Sequence, residues 1–182
     1  VRLTIDSRRP YPAPGTGIVS SMMWLSDVLD EVDMEFLGGN NTHGSSNYFG
    51  KGNVATYNRG QFHKTPGSNQ NDWTTYVIDW TRDQITWTVG KTVVRTLRAA
   101  DAEPNQYPQT PMQVKFGAWS GGDPSNPKGT IDWARGPTDY SKGPFSMTVK
   151  SVVVSDYSTG KQYKYGDQSG TWQSIVAVDG QV

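Results

Sequence analysis

An all-β fold, a β-sandwich or jelly roll, is what this sequence predicts, and three observations carry it. Apolar residues recur with period two in several short stretches. Thr, Val, Ile, Tyr and Trp fill those stretches. Between them, 20 Gly and 11 Pro punctuate the chain with turns. No long segment shows the 3.6-residue repeat of an amphipathic helix.

In chain order, GIVSSMMWL (17–25) reads as a strand that feeds the acidic stretch DEVDMEF (30–36). GGNNTHGSSN (38–47) has loop composition. WTTYVIDW (73–80), QITWTV (84–89) and TVVRTL (92–97), separated by TRD and GK, form a three-strand antiparallel meander. A short helical turn is expected near 99–106. QVKFGAW (113–119) is a further strand, and SGGDPSNPKG (120–129) a loop. FSMTVKSVVVSDYS (145–158) is a strand whose imperfect alternation suits one buried and one partly covered face.

With 182 residues, a single domain over 1–182 is the natural size. The 17 basic and 17 acidic residues balance, so no net field favours nucleic acid or an anionic membrane as partner. No run of about 18 apolar residues crosses a bilayer. Without cysteine there is no thiol nucleophile, Cys-based zinc site or disulfide. With only two His, His43 and His63, a His-rich metal site is not expected, and each His reads as a loop hydrogen-bonder. No metal and no cofactor are expected. Asn40-Asn41-Thr42 is a glycosylation sequon.

DEVDMEF is the anomaly. Strands avoid Asp and Glu, and like charges on one face repel. Read with period two, Val32, Met34 and Phe36 face a core while Glu31, Asp33 and Glu35 face the other way. A helix would align Glu31 with Glu35 but not the apolar residues. A solvated acidic face and a calcium site are the bland alternatives, although strand spacing spreads carboxylates instead of wrapping them round an ion. Glycoside hydrolysis needs such residues: one carboxylate to attack the anomeric carbon and one acid to protonate the leaving oxygen, about 5–5.5 Å apart in a retaining enzyme. At about 3.3 Å per residue, Glu31 and Glu35 have Cα atoms about 13 Å apart, so the strand must bend and their side chains lean together.

Glu-x-Asp-x-Glu on a strand resembles the catalytic signature of glycoside hydrolase family 16. GTGIVSS (15–21), DEVDMEFLGGN (30–40), SNYFGKG (46–52), YPQTPMQVKFGAWSGGDPSNPKGTIDWARG (107–136) and VSDYSTGKQYKYGDQSGTW (154–172) closely resemble the fungal Crh-type cell-wall enzymes. The resemblance implies a jelly roll of two curved antiparallel sheets with a concave substrate cleft. It implies a retaining enzyme that cleaves chitin and transfers it to β-glucan or chitin acceptors. Glu31 would be the nucleophile, Asp33 its helper and Glu35 the acid/base.

Trp119 and Trp133, placed at strand ends beside Gly-rich loops, are expected in the cleft, as are Thr130 and Asp132. Asn47, Tyr48 and Lys51 are candidates to read sugar hydroxyls or N-acetyl groups, and Arg59 to bond a hydroxyl or carboxylate. Core packing or an ordinary hairpin is the alternative for each. Trp73, Trp80 and Trp87 are read as core or back-sheet packing. The family further implies secretion to the cell wall, in many members with a membrane-linked lipid anchor after a Ser/Thr-rich tail. A monomer is expected. A β-1,3(4)-glucanase and a non-catalytic carbohydrate-binding jelly roll remain the alternatives.

One departure stands out. LTIDSRRPYPAPGTG passes directly from LTI to the GTGIVSS block, where the family carries a long paired segment. A truncation or internal deletion around 6–13 is expected, exposing a strand edge and apolar surface and lowering stability.

Overall fold

The computed structural model describes residues 14–181, and residues 2–6 by their backbone. In chain order the strands are β1 (Arg2–Asp6), β2 (Ile18–Ser26), β3 (Glu31–Leu37), β4 (His43–Phe49), β5 (Gln61–Lys64), β6 (Thr75–Trp80), β7 (Gln84–Val89), β8 (Thr92–Arg98) and β9 (Met112–Ser120). A short helix α1 (Lys128–Trp133) follows, then β10 (Ser151–Ser155), β11 (Gln162–Tyr165) and β12 (Ile175–Val178). They form two five-stranded antiparallel sheets, ordered β5-β4-β3-β2-β9 and β10-β1-β6-β7-β8, and a β11-β12 hairpin. The all-β sandwich is therefore as expected, including the β6-β7-β8 meander.

The core lies between the sheets. Met22, Trp24, Val32, Met34 and Phe36 from one sheet meet Tyr76, Ile78, Ile85, Trp87 and Val89 from the other. Val32 and Met34 are 0% exposed and Phe36 2%. Each such apolar side chain contributes ~1.5–3 kcal/mol through burial. Phe36 meets Tyr76 edge-on at 4.8 Å, and Trp24 meets Trp80 at 6.0 Å.

Several expectations need correction. The first meander strand begins at Thr75, not Trp73, because its pairing with β1 starts at Thr75–Asp6. Only Ser151–Ser155 of the stretch 145–158 is a strand, since its ladder to β1 ends at Ser151–Asp6. That strand is exposed at every residue instead of half-buried. The loop from 120 runs into helix α1 at Lys128. His43 and His63 lie on β4 and β5, not in loops. The helical turn appears as a 3-10 turn at Ala99–Asp101. Of the expected junction around 6–13, residues 7–13 lie outside the described residues.

Candidate active site

β3 is the central strand of its sheet, paired on both sides. Its register sets the site in rows. Asp33 stands between Met23 and Asn47, and Glu35 between Ser21 and Ser45. Because neighbours in register share a face, Glu31, Asp33 and Glu35 all lie opposite the core side of Val32, Met34 and Phe36. The acid-bearing face is not simply solvated. Asp33 is 1% exposed, and its Oδ1 is buried without a hydrogen-bond partner.

The three carboxyls act on one another. Burial raises Glu31, while a hydrogen bond from Asp33 pulls it back down. Asp33 is raised well above the usual carboxylate range, first by burial, then by the charges of Glu35 and Glu31 and by its bond to Glu31. The bond between them therefore favours the proton on Asp33 and the charge on Glu31. Burial pushes Glu35 up to about 7, with the charge of Glu31 adding to it and hydrogen bonds from Ser21 and Trp119 opposing. Ser21 Oγ lies 2.6 Å from Glu35 Oε1, and the Trp119 indole N–H donates to Ser21 Oγ at 3.1 Å. The row therefore sets Glu35, pushed up to about 7, apart from Glu31, whose rise the bond from Asp33 opposes. That division is the one nucleophilic and acid catalysis require.

An aromatic platform adjoins Glu35. Trp119, on β9, is 39% exposed and stacks on Trp133 with ring centroids 6.0 Å apart. Trp133 ends helix α1 and does not sit at a strand end, which corrects the sequence reading. A close three-way junction holds the helix there. Gly17 N donates to Ala134 O, Gly122 N to Gly17 O, and Thr138 N to Gly122 O. A Cβ on Gly122 would meet Gly136 O at 2.3 Å, so only glycine lets these backbones touch.

Of the other predicted residues, Asn47 lies beside Asp33 on the acid-bearing face. Tyr48, next along the strand, necessarily faces the other way and is buried in the core, so it is not in the cleft. Arg59 is also turned inward. Its guanidinium donates to Tyr48 O, Asn53 O, Thr56 O, Thr56 Oγ1 and Glu103 Oε2, which makes it a clamp on the 50s loop instead of a sugar ligand. Lys51 is exposed, with its backbone N–H on Asp30 Oδ1 and its stem against Gly170 instead of in the carboxylate rows. Thr130 and Asp132 lie on α1, and Asp132 is exposed and ion-paired with Lys128.

Four residues at this site were missed. Ser21 and Phe62 fall in the row of Glu35: Ser21 pairs with Glu35, and Ser45 pairs with Phe62 on β5. Phe62 is 44% exposed, with the Arg135 guanidinium over its ring. Trp87 donates from behind to Asp33 O at 2.9 Å, and Arg95 acts electrostatically on Asp33. Period two alone would have put Ser21 on the face of Val19 and Met23. The other three depend on strand pairing. The first acid of the stretch, Asp30, is structural: it accepts from the backbones of Lys51, Gln109 and Thr110 and from Thr110 Oγ1.

Comparison with known proteins fits this arrangement. The family model described as Glycosyl hydrolases family 16 matches residues 4–135. Crh-like protein 4 of Botryotinia fuckeliana is 62% identical over 170 residues, covering 93% of this chain and 45% of that protein. A solved structure of the Crh5 transglycosylase in complex with NAG matches with TM-score 0.91 at 50% identity, covering 97% of this chain and 72% of that one. A Bacillus licheniformis β-glucanase matches with TM-score 0.60 at 26% identity, covering 76% and 58%. The chain spans less than half the length of the curated relatives it matches.

Proposed function

This chain belongs to glycosyl hydrolases family 16, and from that premise we propose that it is a retaining transglycosylase that cleaves chitin and transfers it to β-glucan or chitin in the fungal cell wall. The observation that carries the reading is the Glu31–Asp33–Glu35 row, in which burial and mutual charge divide the roles. The Crh5 transglycosylase with NAG and the Crh-like relatives support chitin over the glucanase reading.

Glu31 attacks the anomeric carbon while Glu35 gives its proton to the leaving oxygen, and a glycosyl-enzyme ester forms on Glu31. Asp33 keeps its proton on the Glu31 side, lowering the cost of an ionised nucleophile in a buried site. Glu35, now ionised, takes a proton from an acceptor sugar hydroxyl, and the ester is resolved with retention. Trp119, exposed and stacked on Trp133, and the half-exposed Phe62 offer aromatic surface against which sugars pack. An acceptor held there competes with water for the ester. The chain acts as a monomer outside the cell.

Incubation with chitooligosaccharide and a fluorescent laminari-oligosaccharide tests this. Chitin–glucan transfer products are expected. Glucan cleavage without chitin transfer would establish the glucanase instead, and binding without product the non-catalytic jelly roll.

A further inference from the structure

A buried cation sits beneath the acid row. Arg95, on β8 of the opposite sheet, is 9% exposed and makes no ion pair among the described residues. Arg95 pairs with the core residue Trp87 and, two residues before the buried Leu97, shares its inward face; a register shift that skips Val94 follows between Trp87 and Thr88. The guanidinium lies over the Trp87 ring at 4.8 Å and the Tyr48 ring at 5.3 Å. Its Nη1 donates to Ser46 O at 3.1 Å and Ser46 Oγ at 2.9 Å. Ser46 Oγ also lies 2.8 Å from His63 Nε2, and burial and the Arg95 charge lower the pKa of His63. Trp87, under the guanidinium, bonds the carbonyl of Asp33 itself.

An unpaired buried charge is expensive unless another charge answers it. Charge couples Arg95 to Tyr48 and Asp33, and Arg95 in turn favours ionisation of Asp33. We infer that Arg95 is a positioning residue for the catalytic row: its buried guanidinium, fixed by Ser46, Trp87 and Tyr48, holds the Glu31–Asp33 pair as a single shared negative charge. The inference rests on the catalytic reading of that row. Other charged or titratable groups around the pair are Glu35 on the same strand, Lys115 of β9 in the Asp33 row, and His63 and His43 from β5 and β4. Arg95 is the cation among them that approaches from the dry side, where screening is least.

Arg95→Met and Arg95→Gln both remove the charge with different shapes, so whichever folds reads it, and Arg95→Lys keeps the charge. Carboxyl titration by 13C NMR of Asp- and Glu-labelled protein needs no substrate and so stands apart from the chitin reading. In the neutral variants the Glu31–Asp33 midpoint should rise by about one pH unit. In Arg95→Lys it should move by roughly a third of that. The acidic limb of kcat/KM should rise in parallel, an approximately tenfold loss below it per unit, with KM unchanged. A shifted midpoint in a protein that does not process chitin would keep this inference and overturn the substrate. An unmoved midpoint in a folded neutral variant would overturn the inference.

Discussion

Strands β3 and β10 carry equally apolar stretches, but they lie in opposite environments. On β3, paired on both sides and roofed by the second sheet, Val32 and Met34 are 0% exposed. On β10, an edge strand, Val152, Val153 and Val154 are 42%, 58% and 51% exposed. The edge strand β9 shares that end, and a cavity of about 350 Å³ opens there between Met112 and Val114 of β9, Val154 of β10 and the Trp24–Trp80 pair. Composition shows what a strand can bury, but neighbours decide whether it does. The same contrast governs charge. Dense surroundings shift the carboxyls of β3 and set Glu31, Asp33 and Glu35 apart from surface acids.

The largest expected effect comes from the chemistry of the dense region. Glu35→Gln should lower transfer by about 10²–10⁴-fold. In the parent enzyme kcat/KM should fall as pH rises through about 7, because Glu35 must be protonated to act, and the variant should lose that limb. The same substitution should stabilise the fold. A carboxyl whose folded value is raised binds its proton more tightly folded than unfolded, so stability falls as pH climbs from about 4.5 to about 7. Denaturant melts should therefore show Glu35→Gln gaining on the parent by about 3 kcal/mol between pH 4 and pH 8. A gain that does not grow with pH would dissolve the link between density and charge.

Packing breaks the comparison more directly. Met34→Ala should cost about 2–5 kcal/mol in urea melts. Val153→Ala, at the exposed edge, should cost about 0.5 kcal/mol or less. Equal costs would mean that the edge is covered in solution. The smallest effect should come from Ser21→Ala. Losing a hydrogen bond that favours ionised Glu35 should move the basic limb of kcat/KM up by roughly half a pH unit.

How much of this was legible in the sequence follows the same division. Period two placed Val32, Met34 and Phe36 inside and the three acids opposite, because that signal is local. The same rule separates Tyr48 from Asn47, but only once 43–49 is a strand; composition suggests a loop over 38–47. What the sequence withheld depends on partners far along the chain: Ser21 lies 14 residues from Glu35, Trp87 lies 54 from Asp33, and Asp30 holds Thr110 from 80 away. Arg95 in TVVRTL looks like any surface Arg until the pairing of β8 with β7 sets it, with Leu97, on the face of Ile85 and Trp87. β10 was misjudged for the converse reason, since nothing local records a missing neighbour.

The central claim is that Glu31, in the densest part of the sheet, is the nucleophile. Trapping the enzyme with a 2-deoxy-2-fluoro glycosyl donor, followed by peptide mass mapping, tests it most directly. One sugar adduct, on Glu31 in the β3 peptide, is expected. An adduct on Glu35, or on a residue outside β3, would contradict it.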